Sequence, residues 1–141
     1  MKNLNPRFHL AFPVKDLELS RQFYTKILDC KLGRESEYWI DFDFYGHQIV
    51  AHLSPDDCLN SKKNPVDGYL IPSRHFGVIL PWESWEDLCQ KIKDNGVDFF
   101  IEPRIRFNNH KGEQATFFIK DPSDNMLEFK TFRNDDDIFR K

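Results

Sequence analysis

The sequence predicts an α+β fold built from two tandem βαβββ units, with the helices on the outside of a mixed β-sheet. Three observations carry this. His9-Leu10-Ala11-Phe12-Pro13 and His75-Phe76-Gly77-Val78-Ile79-Leu80-Pro81 open two similar stretches, each followed by an acidic start and a helical apolar stripe. Runs of alternating apolar and polar residues follow each stripe, and a polar segment with turn dipeptides separates the halves. Self-similarity along a chain is the mark of a repeated supersecondary unit.

The elements follow in order. Arg7 to Val14 alternates, with Phe8, Leu10 and Phe12 on one face and His9 and Ala11 on the other, and Pro13 restricts it to a strand end or an edge. Asp16 caps a helix carrying Leu19, Phe23, Tyr24, Ile27 and Leu28. After Gly33, strands are expected over Tyr38 to Phe44 and His47 to Leu53, with Tyr45-Gly46 between them; the helix is followed by about three strands in all. Cys58 to Ile71 carries Asn64-Pro65 and Asp67-Gly68, with Pro72 just beyond, and reads as a flexible loop. Module one thus covers about residues 5–55, the linker about 56–72 and module two about 73–133, within one domain.

In module two, Arg74 to Leu80 is the first strand, and Ser84 is expected to cap a helix with Trp85, Leu88, Cys89 and Ile92 on one face. Asn95-Gly96 closes that helix, Val97 to Ile101 and Ala115 to Ile119 are strands, and Arg104 to Gln114 is a solvated loop. Asp121-Pro122-Ser123-Asp124-Asn125 is a turn before the last strand, Met126 to Phe132, and Asn134 to Asp137 form a charged, frayed tail.

Composition excludes several classes. The 141 residues carry a formal net charge of −3, without the basic footprint of a nucleic-acid binder. No apolar run is long enough for a membrane span and none forms a signal stretch, so a cytoplasmic protein is expected. Three widely spaced cysteines, Cys30, Cys58 and Cys89, read as reduced packing residues. The 14 phenylalanines suit a packed core as well as they suit an aromatic pocket.

Strand parity then selects candidate ligands. If the apolar faces pack on the helices, His9, His52, His75 and Glu128 all fall on the opposite faces of their strands. Neutral imidazoles with one carboxylate suit a divalent transition metal such as Fe, Ni, Zn, Mn or Co, with positions left open for water or substrate. His47, at a turn, and His110, in a loop, read as surface residues.

Phe8-His9-Leu10-Ala11-Phe12-Pro13-Val14-Lys15-Asp16-Leu17, with Phe23-Tyr24 downstream, His75-Phe76-Gly77-Val78 and Asp121-Pro122-Ser123-Asp124-Asn125-Met126-Leu127-Glu128-Phe129 together resemble the vicinal oxygen chelate superfamily. That superfamily includes glyoxalase I, extradiol dioxygenases, fosfomycin-resistance transferases and bleomycin-binding proteins. The resemblance implies an open cleft around a metal held by His9, His75 and Glu128. It sets His52 where glyoxalase I has a fourth ligand, a glutamate. It also implies a small substrate chelated through vicinal oxygens, with Glu128 or His52 moving a proton in a lyase or isomerase reaction. Its alternatives are Fe(II) extradiol-type oxygenation on His9, His75 and Glu128, and plain small-molecule binding. A homodimer is implied in which module one of one chain faces module two of the other.

Overall fold

The computed structural model describes residues 5–58 and 62–141, which divide into two compact units, Met1–Leu59 and Asn60–Lys141. Each unit holds one four-stranded mixed sheet and a helical segment on one of its faces. This is the α+β architecture expected from the repeat.

In unit 1 the strands are β1 (His9–Val14), β2 (Lys31–Glu35), β3 (Trp39–Phe44) and β4 (His47–Leu53), in the spatial order β1-β4-β3-β2. β1 runs parallel to β4, and β4-β3-β2 is an antiparallel meander. The turn between β3 and β4 is made by Tyr45 and Gly46, at φ +53° and +86°. Two consecutive left-handed residues match the twist of a tight hairpin, and a glycine takes the second at no steric cost.

Helix α1 (Leu17–Gln22) starts on Asp16, whose Oδ1 accepts from the Leu19 N–H at 2.8 Å. It widens into a π-helical turn over Phe23–Ile27. The wider turn shifts the apolar stripe from the one expected: Ser20, Phe23, Tyr24 and Leu28 are buried, whereas Leu19 is exposed. Tyr24 is the centre of this core, with ring centroids 5.6 Å from Phe12 and 5.0 Å from Phe42.

In unit 2 the corresponding strands are β7 (His75–Ile79), β8 (Phe99–Arg106), β9 (Gln114–Lys120) and β10 (Met126–Phe132), in the order β7-β10-β9-β8. β7 is parallel to β10 and the others are antiparallel. Helix α2 (Trp82–Asp94) buries Trp85, Leu88, Cys89 and Ile92, the stripe read from the sequence. It begins two residues before Ser84, which is not its cap. Pro81 takes the capping position at φ −53° and ψ 147°, with no side-chain hydrogen bond to the helix start. The Trp85 indole N–H donates to the Phe129 carbonyl at 2.9 Å, so the buried indole is satisfied while it packs on Phe117.

Four other expectations are corrected. The linker contains a hairpin, β5 (Lys63–Val66) and β6 (Tyr69–Pro72), turned by Asp67 and Gly68 at φ +48° and +83°. Its β6 residue Ile71 is buried with Ile101, Phe118 and Met126. β8 runs on to Arg106, which shortens the loop expected from Arg104. The acidic tail is tied down rather than frayed: Asn134 caps a 3-10 turn over Asp135–Asp137, and the Gly112 N–H donates to Asp137 at 3.1 Å. Phe8, expected in the core, precedes β1 and is exposed.

Candidate metal ligands and their surroundings

In unit 1, Leu10, Phe12 and Val14 turn toward α1, and the opposite face of the sheet carries His9. Register decides which residues flank it. His9 pairs with Gln48, Ala11 with Val50 and Pro13 with His52. Across β3 the same rows continue to Asp43, Asp41 and Trp39. His52 therefore shares the face of His9 but stands four residues farther along, about 13 Å at the usual strand rise. The side chain beside His9 is Gln48, whose Oε1 lies 2.8 Å from His9 Nδ1. The Gln48 amide nitrogen lies 3.4 Å from Oδ2 of Asp41, a buried carboxylate that Arg34 approaches at 3.8 Å.

In unit 2, Leu127, Phe129 and Thr131 are buried on the face that meets α2, and Glu128 lies on the other. His75 pairs with Met126, so Glu128 lies two residues, about 7 Å, along the neighbouring strand and on the same face. His75 Nδ1 is 2.8 Å from the Pro72 carbonyl, and its ring meets Phe118 edge-on at 5.6 Å. Glu128 pairs with Gly77 on one side and Phe118 on the other. A Cβ added to Gly77 would stand 1.6 Å from the Glu128 carbonyl oxygen, so only glycine lets β7 approach β10 at the level of this carboxylate.

The next row along this face is Ile79, Lys130, Thr116 and Arg104. Lys130 Nζ is 3.9 Å from Glu128. Thr116 is 4% exposed, and among the described residues its hydroxyl has no hydrogen-bond partner; neither does the buried Nε of Arg104 opposite it. The Arg104 guanidinium lies over the Tyr69 ring at 4.9 Å and reaches Asp67 at 3.3 Å, a carboxylate shared with Arg106 at 2.9 Å.

These contacts fix the state of both imidazoles. A carbonyl oxygen only accepts, so the Pro72 contact requires a proton on His75 Nδ1. The carboxylate of Asp41 draws the amide NH₂ of Gln48 toward itself, which turns Oε1 to His9 and requires a proton on its Nδ1 too. In the neutral ring both histidines then present a bare Nε2 lone pair, the form in which imidazole binds metals, with the other nitrogen held by an outer partner. Imidazole Nε2 and carboxylate oxygen are donor types that suit a divalent transition metal. Among the described residues, neither unit by itself gathers three His, Cys, Asp or Glu side chains able to hold an ion.

The remaining candidates play other parts. His47 Nδ1 accepts from the Phe8 N–H at 3.0 Å and so pins the entry to β1. His110 sits in the loop after β8. Cys30 and Cys89 are buried, and desolvation pushes each thiol up to about 12, which leaves them protonated and inert at neutral pH. Gln48, Asp41, Thr116 and Arg104 escaped the sequence analysis: Gln48, Thr116 and Arg104 are not conventional ligand types, and the relevance of all four rests on register.

Comparison with known proteins shows the family. The family model for the Glyoxalase/Bleomycin resistance protein/Dioxygenase superfamily matches residues 8–129. The metallothiol transferase FosB of Bacillus licheniformis is 27% identical over 124 residues, 87% of this chain and 73% of that protein. A glyoxalase/bleomycin resistance protein/dioxygenase from Alicyclobacillus acidocaldarius has a solved structure with a TM-score of 0.78 at 36% identity, covering 99% of this chain and 100% of that one. The fosfomycin resistance protein FosX of Listeria monocytogenes shares the fold, with a TM-score of 0.70 at 16% identity over 96% of this chain and 98% of its own.

Proposed function

The chain belongs to the glyoxalase/bleomycin resistance protein/dioxygenase superfamily, and within it we propose a metal-dependent enzyme that adds a nucleophile, a thiol in the first instance, to a small anionic substrate held through vicinal oxygens. His9 and His75, through Nε2, and Glu128 are the metal ligands of this reading. His52 is left out of it, since Gln48 occupies the place beside His9. The two units contribute unequally, one imidazole from unit 1 against an imidazole and a carboxylate from unit 2. A homodimer in which His9 of one copy completes the His75 and Glu128 pair of the other fits this division. When bound there, a divalent transition metal would polarise the chelated oxygens as a Lewis acid.

The observation that carries the choice of reaction is the residue that stands at the position matching Glu128. Aligning the units through their parallel strands, with His9 on His75, sets Gln48 on Met126, Val50 on Glu128 and His52 on Lys130. An isomerase that carries a proton between two carbons needs bases on both flanks of its substrate. Here the position matching Glu128 is filled by Val50, which is no base, so we favour an addition over a glyoxalase-type isomerisation. The name of the metallothiol transferase relative suggests the thiol. The substrate's anionic group is assigned to Lys130, Thr116 and Arg104, two cations flanking a buried hydroxyl in the row next to Glu128, where Thr116 Oγ1 and Arg104 Nε both lack a partner among the described residues.

Two histidines and one carboxylate are also the facial triad of Fe(II) oxygenases, so extradiol-type oxygenation is the second reading. Metal analysis followed by substrate screening separates them. Thiol consumption with a small phosphonate or carboxylate, fosfomycin among the first tried, supports the transferase. Iron with O2 uptake on an aromatic substrate supports the oxygenase. A protein that binds small anions without metal and turns nothing over would leave a binding module and overturn both.

A further inference from the structure

We propose that Gln48 and Asp41 are positioning residues that set the tautomer and direction of His9. This rests on the metal reading only for its consequence, since the hydrogen-bond argument concerns the metal-free chain.

The two histidines are held by different means. His75 is fixed by a backbone carbonyl three residues away, a partner that no side-chain substitution removes. His9 is fixed by an amide that could point either way: Gln48 offers an acceptor at one end and a donor at the other. Reversed, it would donate to Nδ1, move the imidazole proton to Nε2 and abolish the lone pair on the ligand nitrogen. Asp41 prevents this. It is 7% exposed, and its Oδ2 faces the Gln48 amide nitrogen at 3.4 Å and Arg34 at 3.8 Å. A buried carboxylate with so few donors would lose one if the amide reversed and would then face an oxygen. Gly33 keeps the space beside it open, since a Cβ there would stand 3.0 Å from the Asp41 Cβ. The chain Arg34, Asp41, Gln48, His9 thus transmits one buried charge to one ring nitrogen. Partners of this kind typically change metal affinity by about 10–100-fold.

The test uses protein with ¹⁵N-labelled histidine, first without metal. In the wild type, His9 should carry its proton on Nδ1 at pH 8. Gln48→Leu should shift the population toward Nε2–H, the double variant Gln48→Glu with Asp41→Asn, which keeps one acceptor for His9 and one donor between the pair, should retain Nδ1–H, and Asp41→Asn alone should give an intermediate mixture. Zinc affinity should fall about 10–100-fold in Gln48→Leu and recover in the double variant. An unchanged His9 tautomer in Gln48→Leu overturns the inference, as does a changed tautomer with unchanged zinc affinity. If the wild type binds no zinc or other transition metal, the metal reading fails, while the tautomer result still decides the role of Gln48.

Discussion

The two units build the same βαβββ ladder and arm it differently. At corresponding positions, unit 1 has His9, Gln48, Val50 and His52 where unit 2 has His75, Met126, Glu128 and Lys130. Only the strand-opening histidine is common to both. Unit 1 spends its face on holding that histidine, through an amide and a buried carboxylate. Unit 2 holds its histidine with a main-chain carbonyl and keeps its face for a carboxylate, a lysine and a threonine whose hydroxyl has no partner among the described residues. A repeated fold therefore need not give a symmetric site: the backbone supplies equivalent positions, and the chemistry depends on which side chains fill them.

This asymmetry can be broken at its most crowded point. Gly77→Ala drives a Cβ into the Glu128 carbonyl, while the matched position of unit 1 is already Ala11, which tolerates its methyl. We expect Gly77→Ala to cost about 3 kcal/mol by denaturant titration, as for severe overpacking. A midpoint equal to wild type would mean that β7 does not approach β10 this closely.

Mixing variants sharpens the comparison at the level of the assembly. His9→Ala spoils the contribution of unit 1, and Glu128→Ala spoils that of unit 2. Each alone should bind no metal. Co-refolded in equal amounts, they should recover about a quarter of wild-type metal content if each site draws on both copies of a two-fold dimer. Recovery of none would place all ligands of a site within one chain.

A smaller effect is expected in the core of unit 2. Trp85→Phe removes a buried donor from the Phe129 carbonyl, for a loss of about 1–3 kcal/mol. The smallest concerns the thiols. Cys30 and Cys89 are raised to about 12 by burial, so their neutral forms favour the folded state. That contribution is complete below the ordinary thiol range and is lost as pH rises through it toward 12. A thiol reagent at pH 8 should modify the half-buried Cys58 first and leave the other two until unfolding. Rapid labelling of all three in the folded protein would contradict the burial.

Parity was legible in the sequence, and register was not. Alternation placed His9, His52, His75 and Glu128 on the faces away from the helices, and the helical spacing of Trp85, Leu88, Cys89 and Ile92 gave the buried stripe of α2. Parity leaves a strand free to slide by two residues without exposing its apolar side. That freedom separates His52 from Gln48 as the neighbour of His9, and the parallel pairing of β1 with β4 settles it through the length of an intervening helix and meander. The β5-β6 hairpin escaped notice because its residues are mostly exposed and only Ile71 is buried. The widened turn of α1 was hidden for a different reason: inserting one residue into a helical turn changes which side chains face inward without any change in composition.

The central claim is a three-ligand site to which unit 1 contributes His9 but not His52. Metal content by elemental analysis of purified wild type, His9→Ala, His75→Ala, Glu128→Ala and His52→Ala tests it most directly. The account predicts that the first three variants lose the metal and that His52→Ala retains the wild-type amount. Metal lost from His52→Ala, or kept by His9→Ala, would contradict it.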